Sequence, residues 1–208
     1  MKSLLSLCFS FLFVSVSNAQ TRWAVKAGPN YSTAKAVFAG VKQPTDYLPG
    51  VNIAVQTYTP FEPPLFFSCL AAYSLRGYKI TPLEGSITQY ENRIHYLELA
   101  TLLSFKIKAG ATSNIVLSAG PMAGLAIGGK ESQTENGSTT KTKMKFSTSE
   151  NYGVFDLAIY SSAGIHFNKF FIEAAWQHGV VNINNNAEFD FRNIQNRSLS
   201  VNLGYYFH

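Results

Sequence analysis

From Trp23 onward the hydrophobic period of this chain is two, and one of its two parities is free of charge. A period of two is the signature of a pleated strand, whose successive side chains point to opposite faces. Eight stretches are predicted as strands: 23–31, 51–58, 65–76, 96–105, 115–128, 155–167, 170–179 and 198–207. The last is the plainest, setting Leu199, Val201, Leu203, Tyr205 and Phe207 against Ser198, Ser200, Asn202 and Gly204. Across the eight, the apolar parity has 44 positions and not one Lys, Arg, Asp or Glu. With 14% of the chain charged, about six would fall there by chance, even though an ordinary domain is richer in charge. A lysine or arginine facing lipid from a strand costs roughly 2–4 kcal/mol near the bilayer midplane, which accounts for such a gap.

The other parity carries Lys26, Arg76, Glu98, Asp156 and Glu173. In a small barrel these five would meet in the lumen, where desolvated charges need partners. A structural ion network is the expectation, with a proton or ion path as the alternative.

Connection lengths alternate. Strands 2–3, 4–5 and 6–7 are joined by 6, 9 and 2 residues, while the other gaps are 19, 19, 26 and 18 residues. Short periplasmic turns, long outer loops and an even strand count are the form of a bacterial outer-membrane barrel. Closure also removes exposed strand edges. The predicted fold is therefore all-β: an eight-stranded antiparallel up-and-down transmembrane barrel of outer-membrane type, its lumen filled by side chains. Pro121 cannot donate to a ladder, so a bulge is expected there. Trp23, Tyr31, Tyr73, Trp176, Tyr205 and Phe207 sit near strand ends on the apolar parity, as interfacial aromatics do. A soluble lipocalin-like periplasmic carrier, with the apolar parity turned inward, is the competing architecture.

Residues 1–19 read as a signal peptide: Lys2, an apolar run over 4–16, then Ser17-Asn18-Ala19 before the expected cut. The run is too short to span a bilayer as a helix. Cys8 would leave with it, so the exported domain, 20–208, keeps only Cys69 and can form no internal disulfide.

Two segments carry a family resemblance. Trp-Ala-Val-Lys-Ala-Gly-Pro-Asn-Tyr-Ser at 23–32 resembles the opening strand of the PorT-like outer-membrane β-barrel proteins of the Bacteroidota, and Asn-Leu-Gly-Tyr-Tyr-Phe-His at 202–208 resembles their closing strand. His208 departs from the family's terminal aromatic, which here is Phe207. The resemblance implies a fold, a place in the outer membrane and recognition by the barrel-assembly machinery, but no inherited activity.

Chemistry-bearing motifs are sparse. His95 and His178 fall on the apolar parity, and His166 shares the inward parity with Ser162. Four residues of strand separate those two by about 13 Å, too far for a nucleophile–base pair. A barrel-embedded lipid hydrolase is kept only as an alternative to a structural or surface-interaction role. No His-x-His, Cys-x-x-Cys or Asp-x-Asp cluster suggests a metal, and no phosphate loop or other cofactor motif occurs. The net charge of +5 is spread too thinly for nucleic acid. In the longest predicted loop, 129–154, Lys130, Lys141, Lys143 and Lys145 are diluted by Glu131, Glu135 and Glu150; a solvated, mobile outer loop is the expectation, with a patch for lipopolysaccharide phosphates or an acidic partner as the alternative. Asn136-Gly137-Ser138 has the form of a glycosylation acceptor, meaningful only in a eukaryotic secretory pathway.

Overall fold

Alternation leaves every strand with one apolar and one polar face, and a sheet closed on itself separates the two completely. The computed structural model describes residues 21–38, 40–83, 87–147, 152–185 and 191–207. Residues 1–19, Cys8, Glu150 and His208 lie outside them. The strands are β1 (Arg22–Phe38), β2 (Val41–Lys42), β3 (Thr45–Glu62), β4 (Leu65–Ile80), β5 (Ile87–Lys108), β6 (Ser113–Glu135), β7 (Ser138–Lys143), β8 (Phe155–Phe167), β9 (Phe170–Gly179) and β10 (Phe191–Phe207). Each pairs antiparallel with its neighbour, and β10 returns to β1 from Trp23↔Phe207 upward. Eight strands form the ring; β2 and β7 are additions at its rim. Three short turns, 63–64, 109–112 and 168–169, share one end with the start of β1 and the end of β10.

The apolar parity faces outward. Leu99 and Leu203 are about two-thirds exposed, and Trp23, Tyr31, Trp176 and Phe207 also stand outside. Tyr73 and Tyr205 share that face, half-buried. The polar parity lines the inside. A soluble carrier with an apolar pocket is excluded by this orientation. Leu99→Arg is expected to destabilise the barrel in lipid vesicles by roughly 2–4 kcal/mol, read by urea titration, whereas Leu99→Ala, which adds no charge, should cost far less.

Several strands run past their predicted ends, and the reason is an inversion of polarity. On β5, Leu97 and Leu99 face out with Glu98 inside; higher up, Glu91 and Arg93 face out while Tyr90 and Ile94 are buried inside. The same exchange brings Lys79 outward between buried Tyr78 and Ile80, and Gln195 and Arg197 outward around buried Ile194 and Asn196. Above the lipid the outer wall is in water, so a polar exterior costs nothing and apolar side chains turn inward. The two-residue period persists, but its sign flips.

Two further expectations are corrected. No bulge occurs at Pro121: register is unchanged from Ala100↔Met122 to Leu103↔Ala119, with the β5 ladder opened at Pro121 and Gly120, while β8 pairs straight through. An irregularity lies instead at His95/Tyr96. Asn136 and Gly137, at φ 48° and 78°, form the left-handed turn of the β6–β7 hairpin. Much of the predicted loop 129–154 is thus paired strand.

Candidate functional site in the lumen and at its mouths

The five lumen charges come from β1, β4, β5, β8 and β9, and all are at most 3% exposed. Lys26 Nζ lies 2.5 Å from Glu173 Oε1 and donates to Tyr160 Oη at 3.0 Å; Tyr160 in turn donates to Glu173 at 2.9 Å. One layer up, Arg76 Nη2 sits 3.0 Å from Glu98 and 3.1 Å from Asp156. Its Nη1 donates to Gln177, and Asn196 donates to Asp156 at 2.8 Å. The guanidinium also lies 4.1 Å from the Tyr96 ring centroid, a cation–π contact. Sequence parity put these five on one face; it could not say that they divide into a Lys26 pair and an Arg76 triad.

The long-loop mouth is capped. Met144, just beyond β7, and Ile183, between β9 and β10, are buried against Tyr78, Ile80, Ile94 and Ile194. Tyr152 closes over them, donating to Glu131 and accepting from Asn92 at 3.2 Å. Burial holds its hydroxyl well above the ordinary phenol range, and Tyr78 and Glu131 add to the shift; the group therefore stays a neutral donor. Nothing in the sequence reading singled out Met144, Tyr152 or Ile183. The inverted alternation around Tyr78 and Ile94 was the available signal, since an inward apolar surface above the membrane must be covered. Tyr152→Phe should loosen the cap by about 1 kcal/mol, seen as faster proteolysis between 136 and 154 with the membrane body intact.

His166 is buried, as its parity implied, but it is bonded through Nδ1 to Tyr206 Oη at 2.6 Å and stacked on Phe171. His95 is bonded to Tyr73 Oη at 2.6 Å on the outer wall. Among the described residues no group of His, Cys, Asp and Glu is arranged to hold a metal.

A closed antiparallel ring with an apolar exterior, a polar filled interior and short turns at one end defines a transmembrane β-barrel. The sequence matches the outer-membrane protein beta-barrel domain family over residues 15–185, and the chain belongs to that family. Its place is the bacterial outer membrane. Similar solved structures include Ail of Yersinia pestis (15% identity, 90% of this chain and 99% of that one, TM-score 0.43) and OprG of Pseudomonas aeruginosa (13%, 92% and 98%, 0.46). The outer-membrane enzyme PagL is another (14%, 85% and 98%, 0.44). No curated protein matches the sequence.

Proposed function

We propose that this chain is a non-conducting, non-catalytic envelope barrel of the PorT-like group, which presents its outer hairpins to surface ligands. The observation that carries the reading is the closure of the lumen: ion-paired side chains fill its middle and Met144 and Ile183 cap its outer end. The exposed β6–β7 hairpin beyond the cap sets Lys130 opposite Lys143, with Lys141 nearby. Lipopolysaccharide phosphates are the chemistry such a patch suits. We take residues 1–19 as the export signal, 20–208 as one barrel inserted by the barrel-assembly machinery, and the five lumen charges as a structural network. Against hydrolysis stand the Tyr206 bond of His166 and its spacing from Ser162.

Planar-bilayer recording and a lipopolysaccharide pull-down test this together. No stepwise conductance is expected. Replacing Lys130, Lys141, Lys143 and Lys145 with Gln should weaken lipopolysaccharide capture about tenfold and make what remains less sensitive to salt, since the screened charges are gone. Steady channels in the parent chain, or capture indifferent to the four substitutions, would overturn the reading.

A further inference from the structure

At the opposite mouth none of the described residues forms a cap. At the short-turn end a pocket of about 220 Å³ opens into the barrel, lined by Arg22, Lys106, Tyr58, Asn114, His166 and Tyr206 among others. Seven ring strands contribute, so the pocket belongs to the closed barrel and not to one hairpin. Arg22 lies 4.7 Å from the Tyr206 ring centroid, and Lys106 lies 5.6 Å from that of Phe66. Aromatic faces thus hold both cations in place. Neither cation is paired with a carboxylate among the described residues, and no Asp or Glu is in the lining.

This contrasts with the rest of the lumen. Lys26 and Arg76, the cations deeper inside, each meet a carboxylate within about 3 Å. Two cations placed in one concavity without an acid repel each other and gain from an anion supplied from outside. The floor beneath them is rigid: Tyr206 Oη is locked to His166 Nδ1, and Tyr58 packs edge-on to the same imidazole. An arginine fork, a lysine ammonium and the Asn114 amide supply the donors a phosphoryl group takes. The volume falls below the ~300 Å³ at which pockets for drug-sized ligands begin.

We propose that this mouth is a binding site for a phosphoryl group, with Arg22 and Lys106 as its two charged anchors. A small soluble phosphomonoester fits best, because a lipid headgroup has to bend over the barrel rim while its acyl chains stay outside.

The test uses the full barrel, extracted from outer membranes in nonionic detergent and titrated with inorganic phosphate and with glycerol 3-phosphate by calorimetry. Binding is expected, weakened at least about tenfold in Arg22→Gln/Lys106→Gln and to a lesser degree in Lys106→Gln alone. Lys42→Gln, on the rim strand β2 at the other end, should bind as the parent does. Heat-modifiable gel mobility verifies that each variant is folded. A parallel titration in lipid discs with and without phosphatidylglycerol separates the two sources. Binding of the soluble phosphates in detergent assigns the site to a solute. Occupancy only in discs containing phosphatidylglycerol, lost in the double variant, assigns it to a headgroup phosphate. No binding of any of these, or binding that the double variant leaves unchanged, overturns the proposal.

Discussion

Arg76→Met is expected to cost about 3–5 kcal/mol of barrel stability, because it leaves two buried carboxylates without their cation. Glu98 and Asp156 both rest on the same Nη2, at 3.0 and 3.1 Å, and none of the three side chains exceeds 3% exposure. Removing the guanidinium also takes the donor from Gln177 and the cation from the face of Tyr96. The triple change Arg76→Met/Glu98→Gln/Asp156→Asn should recover most of the loss, since an ion cluster replaced as a whole leaves no charge stranded. Urea titration in vesicles, with the double changes completing the cycle, reads the coupling. A single Arg76→Met that folds as stably as the parent would show that the triad is not what organises this layer. Lys26→Met should behave in the same way but more mildly, since only Glu173 is left behind.

The Arg76 triad also shows what the sequence makes legible. Alternation assigns Arg76, Glu98 and Asp156 to one face of three separate strands, and in a closed ring that face has only one interior to share. Their depth is not in the pattern, because the stagger between strands sets it: Arg76 stands opposite Ile94 on β5, four residues above Glu98. Only the long arginine side chain reaching down the lumen joins them. The membrane-spanning part of each strand is legible for the reason that makes it cross: lipid forbids charge on one parity. Above the lipid that rule lapses, so Tyr78-Lys79-Ile80 and Asn92-Arg93-Ile94 carry the same period with opposite polarity and are easily taken for loop. The cap and the cationic mouth are further removed still. Met144 and Ile183 sit in alternations too short and too polar to read as membrane strand, Tyr152 sits in none, and Arg22 and Lys106 lie 84 positions apart with nothing in either neighbourhood to link them.

Gly28→Val is expected to prevent closure of the barrel altogether. β1 and β10 form the seam, and their ladder opens for two residues between Ala27↔Leu203 and Asn30↔Ser200, where Gly28 and Pro29 stand. Pro29 has no N–H to offer, and a β-carbon on Gly28 would lie 1.9 Å from the Val201 carbonyl oxygen. That oxygen is backbone, held on its far side by β9, so relief requires the seam itself to move. Gly120-Pro121 repeats the arrangement on β6, where a β-carbon would meet the Thr101 oxygen at 2.1 Å. Gly204 is the informative contrast. Its β-carbon would strike the Phe171 ring at 2.0 Å, but a ring can be removed. Gly204→Ala should therefore cost about 1–3 kcal/mol as an overpacked interior and be largely restored by Phe171→Leu. No side-chain change restores Gly28→Val. In unboiled gels the Gly204→Ala/Phe171→Leu chain should run fast and slow on boiling, whereas Gly28→Val should show only the slow, unfolded band. A compact, heat-modifiable Gly28→Val would mean that the seam can shift its register past Val201, and that closure does not depend on the close approach of these two strands.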